Sequence, residues 1–198
     1  MAIIYDIETL SQDQHRGVIV SIALLNFDMS RIKYGPDYSW DELLKSVCFE
    51  KFNVEQQVKE YGRKICPDTL KWWQGQGKEA QAQLTPTPTD QDIKYLYDWF
   101  TDVATNVDIA YTRNNTFDPV FIQFLCEQFG NPLPHKWWVV RDTKSTIDGM
   151  TWGQDINDKF IPEGLEELFI AHDPRHDVVM DVMRLQYLSR LLIDEIPF

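Results

Sequence analysis

The 198 residues suit a single domain, 1–198, and apolar residues at 43% with aromatics at 13% supply a substantial core. No apolar run approaches the ~18 residues of a membrane span, so no membrane partner is expected. A net charge of −12 argues against a broad basic face gripping long nucleic acid, but not against a small site where bound cations supply positive charge.

In chain order, 2–7 (AIIYDI) and 17–27 (GVIVSIALLNF) are rich in Ile and Val, with turn material between them. They read as consecutive antiparallel strands. A short third strand fits 47–52, after a loop over 34–39. The period then changes to helical over 54–65 and, after Pro67, over 68–76. The TPTPTD stretch, 85–90, leads into a helix over 91–104 with Thr89 or Asp90 as N-cap. That helix sets Ile93, Leu96, Tyr97 and Phe100 on one face. Residues 107–112 (VDIAYT) form a strand and 118–130 a helix, with Pro119 in its first turn and Gly130 at its stop. Residues 137–143 form a fifth strand, whose leading Trp137 and Trp138 read as core. A short helix near 163–169 and a long one over 176–194 complete an α/β domain with a mixed five-stranded sheet.

Cys48, Cys66 and Cys126 are odd in number and far apart, which fits free thiols in a reducing cytoplasm. The N-terminus shows neither a basic segment nor a cleavage-like site, so no signal peptide is expected.

Chemistry concentrates in three places. Asp6 and Glu8 are two apart on the first strand and therefore share a face. Such a pair alone is more often two solvated acids at a strand edge, but same-side carboxylates are also what a hard divalent cation takes as ligands. Asp118 opens a helix at the carboxyl end of a strand, as an N-cap would, and also where α/β ligand sites form. Finally, AHDPRHDVVMDVMRLQYL, 171–188, carries His172, Asp173, His176, Asp177 and Asp181 at the head of an apolar helix face.

This ordered set, D-x-E, then a mid-chain Asp, then H-x(4)-D, resembles the DEDD exonuclease superfamily in its histidine-bearing branch. The segments 69–84, 141–148 and 169–188 are similar to the exonuclease A enzymes of T-even phages. Each motif alone is unspecific; the ordered set over most of the chain is specific. The resemblance implies a ribonuclease H-like fold and a 3′–5′ exonuclease using two divalent cations, Mg²⁺ or Mn²⁺. Its substrate would be nucleic-acid 3′ ends, with single-stranded DNA favoured and RNA possible, and its location the host cytoplasm if the chain is phage-encoded. Asp6, Glu8 and Asp118 match the first two motifs. The third can be read as His172/Asp177 or His176/Asp181. Pro174 breaks the first as a helix interior, so the second is taken.

Phosphodiester cleavage needs an activated water, charge neutralisation and help for the leaving oxygen, which two cations ~3.5–4 Å apart can supply. On this reading Asp6 bridges both cations, Glu8 and Asp181 complete the water-activating site, and Asp118 supports the cage. His176, just ahead of the helix, takes the proton. The resemblance places Thr9 and Leu10 against the terminal nucleotide. Phe117, Trp72 and Trp73 are candidates for base stacking, with core packing as the bland alternative. Arg141, with Arg113, Lys144 and Arg175, is a candidate for phosphate contact. The acidic balance implies a weak grip on long substrates.

Three rivals remain: an oligoribonuclease, which contacts to the 2′-OH would decide; a catalytically silent nucleic-acid-binding module, against which all five motif residues count; and a metal-independent glycosidase using paired acids.

Overall fold

The computed structural model describes residues 1–152, 154 and 156–195. A mixed five-stranded sheet is built from β1 (Ala2–Thr9), β2 (Ile19–Phe27), β3 (Cys48–Lys51), β4 (Ile109–Thr112) and β5 (Val140–Asp142), in the spatial order β3-β2-β1-β4-β5. The first three strands pair antiparallel, and β4 and β5 run parallel to β1. This is the ribonuclease H-like α/β architecture the sequence implied.

The helices are α1 (Met29–Tyr34), α2 (Trp40–Ser46), α3 (Val54–Tyr61), α4 (Pro67–Gln74), α5 (Lys78–Ala82), α6 (Leu96–Val103), α7 (Asp118–Phe129), α8 (Thr143–Met150) and α9 (Pro174–Glu195). The central strand β1 is buried on both faces, which is why its sequence is an apolar run. Ile4 packs into a core shared with Val178, Val182 and Leu185 of α9. Ile3, Tyr5 and Ile7 face the opposite core, with Phe100 of α6 and Phe121 and Leu125 of α7. By strand alternation, Asp6 and Glu8 therefore lie on the α9 side.

A smaller apolar cluster, Leu10, Val18, Val20, Trp73 and Ala80, ties α4 and α5 to the end of the β1–β2 hairpin. The Trp73 indole Nε1 donates to the Thr9 carbonyl at 3.0 Å. Gly17 in that hairpin must be glycine: a Cβ there would stand 2.7 Å from the Asp13 carbonyl and 2.8 Å from the Phe121 ring.

Several local expectations differ from the structure. The helix after the Pro-rich loop starts as a 3-10 turn, Ile93–Tyr95, capped by Asp92 rather than Thr89 or Asp90. The Asp90 carboxylate instead closes the preceding turn by accepting from Thr87. Helix α3 stops at Tyr61, because Gly62 adopts a left-handed conformation. Residues 163–169 form turns rather than a helix, and a helix not expected from the sequence, α8, follows β5 directly with Asp142 as its cap. The loop expected over 34–39 lies between α1 and α2, two short helices the sequence did not announce, capped by Asp28 and Ser39. Trp137 and Trp138 are not core. They sit in a 3-10 turn ahead of the edge strand β5, 72% and 55% exposed. No described helix is long and apolar enough to cross a membrane.

Candidate active site

The site forms where β1 and β4 part. Their pairing ends at Ile4 with Tyr111, and β4 ends one residue later at Thr112. Beyond that point the Ile7 amide has no β4 partner and donates to Asp118 Oδ1 at 3.1 Å. A buried N–H must be satisfied, and here a carboxylate does it. Asp118 is thus not the N-cap of α7, a place taken by Phe117. It is the first helical residue, buried and turned back towards β1.

On the other side of the sheet, α9 begins at Pro174 with Asp173 ahead of it. The Asp173 carboxylate accepts from the Arg175 amide and is held by Arg175 Nη2 at 2.6 Å and Gln83 Nε2 at 3.0 Å. Asp173 is therefore the cap and Pro174 the favoured first helical residue. His172 precedes them at φ 64°, a left-handed conformation that histidine tolerates better than most residues. Its amide donates to Asp177 Oδ2 at 2.9 Å. One ligand atom each from Glu8, His172 and Asp177 lies within 4.8 Å of the others. Asp6, Glu8, Asp118, His172 and Asp177 line one cavity of about 440 Å³.

Of the two registers, the structure brings His172 and Asp177 to the cleft lining and leaves His176 and Asp181 out of it. His176 lies inside α9, where Nδ1 accepts from the Ile170 amide at 3.2 Å and the ring stands edge-on to Trp40. Asp181 is one turn deeper than Asp177 and buried, gripped by Arg113 Nη1 at 2.5 Å and Arg184 Nη1 at 2.6 Å. Pro174 does not break the first register, because His172 is outside the helix and only Asp177 is inside it.

The electrostatics are those of crowded, buried acids. Burial, then the neighbouring Asp118, Glu8, Asp177 and Asp181, pushes Asp6 well above the ordinary carboxylate range. Burial, then Asp177 and Asp118, does the same to Glu8. Asp118 rises to about 7 through burial, against the pull of the Ile7 amide. Asp177 also rises to about 7, through burial and Asp181, opposed by the His172 amide. Burial and Lys159 lower His172, which keeps its ring neutral near pH 7. Four carboxylates with no cation paired directly to them among the described residues form a donor set fitted to hard divalent ions.

Beside this cleft a second cavity, about 470 Å³, runs over Ile7, Glu8 and Thr9 to Phe117, Trp72, Cys66, Asp68, Thr69 and Gln12. Thr9, Phe117 and the half-exposed Trp72 are in its lining. Leu10 and Trp73 are not: both are buried in the cluster that anchors α4. The Arg141 guanidinium folds back onto the Trp138 and Val140 carbonyls, away from both cavities. Arg175 is consumed by Asp173. The sequence reading passed over Lys159 and Arg184, which line the carboxylate cavity. Neither carries a local motif. The cap and helix-start rule at Asp173–Pro174 was the available signal for His172.

An exodeoxyribonuclease of Enterobacteria phage T4 is 27% identical over 210 residues, covering 94% of this chain and 88% of that protein. Exonuclease I from Methylocaldum szegediense superposes with a TM-score of 0.59 at 13% identity, over 98% of this chain and 42% of that one. A zinc-ion-bound form of an E. coli ExoI–ssDNA complex superposes with a TM-score of 0.55 at 15% identity, over 97% and 40%. The chain spans less than half the length of these exonuclease I chains. With the family match that follows, these likenesses identify a 3′–5′ exonuclease. Residues 1–173 match the model of the 3′-5′ exoribonuclease Rv2179c-like domain, and the chain belongs to that family.

Proposed function

We propose that the chain hydrolyses single-stranded DNA from the 3′ end, releasing 5′-mononucleotides, with two divalent cations, Mg²⁺ or Mn²⁺, and His172 as general base. The observation that carries this reading is the convergence of Glu8, His172 and Asp177 beside Asp6 and Asp118. The cations would be held by Asp6, Glu8, Asp118 and Asp177, and would neutralise charge gathering on the phosphate during cleavage. The neutral His172 imidazole takes a proton from the attacking water, and its left-handed backbone and the Asp177 contact fix its place at the cleft mouth. Phe117 and Trp72 offer aromatic faces along the adjoining cavity for the terminal base.

DNA is favoured by the phage T4 exodeoxyribonuclease relative, which aligns over nearly the whole chain. RNA is the second reading, because the family's own description names an exoribonuclease. The test is digestion of 5′-labelled DNA and RNA of matched sequence with Mg²⁺ or Mn²⁺, with and without chelator. A metal-dependent ladder shrinking from the 3′ end, faster on DNA and lost in Asp6→Ala and His172→Ala, is expected. A faster RNA ladder reverses the substrate assignment. No ladder from folded protein removes the enzyme reading.

A further inference from the structure

The cavity that holds the four carboxylates is also lined by Arg113, Lys159 and Arg184. Among the described residues, the two arginines form ion pairs with Asp158 and Asp181 and none with Asp6, Glu8, Asp118 or Asp177. Both donate instead to one oxygen, Asp181 Oδ1. Arg113 Nη2 also donates to the Asp158 carbonyl at 2.9 Å and its carboxylate at 3.0 Å. Arg184 Nε donates to the Phe160 carbonyl at 2.7 Å, and Nη2 to the Lys159 carbonyl at 3.3 Å.

A guanidinium has five N–H donors. The three bonds recorded for each arginine leave two in each fork. Arg184 is nearly fully buried, its side chain 5% exposed, and a buried cation is retained only with partners. Here two guanidiniums share the Asp181 carboxylate. Three cations (Arg113, Lys159, Arg184) against two anions (Asp158, Asp181) leave one net positive charge here, beside the acids of the cleft. A packing brace would need neither the surplus charge nor a place in the lining of an open cavity.

We infer that Arg113, Lys159 and Arg184 form a phosphate-binding wall for the substrate backbone, and that Asp181 is a positioning residue holding the two guanidiniums in it. The inference rests on the nuclease reading of the same cleft. The fixed forks suit the planar, two-point recognition of phosphate oxygens, and the exposed Lys159 adds a mobile point charge.

The test is binding of a labelled, hydrolysis-resistant phosphorothioate oligothymidylate, followed by anisotropy between 50 and 200 mM salt with Mg²⁺ present. Each lost phosphate contact should lower the salt slope by about 0.7 and weaken binding about tenfold. Arg113→Gln and the surface change Lys159→Gln should both show this, and Arg113→Lys should recover the slope. Asp181→Asn should lower the slope although the phosphate never touches it. Unchanged slopes in folded Arg113→Gln and Lys159→Gln overturn the wall. An Asp181→Asn variant that melts earlier but keeps the wild-type slope overturns the positioning role. Wild-type binding without digestion of an ordinary oligonucleotide sinks the exonuclease reading while leaving the wall standing.

Discussion

Asp118→Asn should make the metal-free protein more stable while abolishing its activity. The carboxyl rises from an ordinary 3.8 to about 7 on folding, mostly through burial. At 1.36 kcal/mol per pH unit, keeping it ionised in the folded state at pH 8 costs about 4 kcal/mol. Asp6 and its neighbours share that repulsion, so a single substitution should recover about 1–3 kcal/mol. Asparagine is nearly isosteric and can still accept from the Ile7 amide, so the one bond that orders this side chain survives. The sign follows from linkage. A folded-state pKa above the unfolded one gives stability that is complete below about pH 4 and is lost as pH rises through about 7. Urea melts in chelator should therefore favour the variant at pH 8 and show little difference at pH 4. Millimolar Mg²⁺ or Mn²⁺ should reverse the order, stabilising wild type by about 2.7 kcal/mol at a hundredfold excess over Kd and the variant by less. A variant no more stable than wild type at pH 8 in chelator would refute the claim that burial in the cleft penalises the ionised Asp118 carboxyl.

Four further outcomes are expected. His172→Ala should slow 3′-end digestion about 10²–10⁴-fold, whereas His176→Ala should stay within a few-fold and lower Tm through its lost Trp40 and Ile170 contacts. Trp73→Ala should cost about 3–5 kcal/mol in denaturant unfolding, since the ring is fully buried and holds the Thr9 carbonyl. Trp72→Ala, half exposed on the neighbouring turn surface, should change stability by less than about 0.5 kcal/mol and raise KM. Gly17→Ala should cost about 1–3 kcal/mol, because a methyl there must displace the Asp13 carbonyl or the Phe121 ring.

The sheet was legible because β1, β2 and β4 are buried strands with continuous apolar runs, and because Pro119 and Gly130 bracket α7 by their backbone preferences. Short helices were not. In α1, α2 and α8 the signal is a single capping Asp or Ser, and those residues serve loops equally well. Exposure of single aromatics was the least legible feature. Trp72 and Trp73 are adjacent and identical in type, yet one faces a cavity and the other fills a core. Helix periodicity separates neighbours by about 100°, but only the packing of α4 on the hairpin decides which is which.

That His172 and not His176 lines the cleft has a physical cause that reaches beyond either residue. Requiring both ends of H-x(4)-D to lie on one helix makes Pro174 an obstacle. The general base proposed for this cleft need not be helical, and a ring beside the cleft is better held by the residue before the cap, where the backbone is free to leave the helix path. Pro at the first helical position and Asp173 at the cap then become the device that ends the loop sharply and sets Asp177 one turn in, beside His172. The same spacing carried one turn further puts Asp181 too deep for the cleft and at the right depth for Arg113 and Arg184. Two acids on one helix face, four residues apart, are thereby divided between the acidic wall and the support of the basic one.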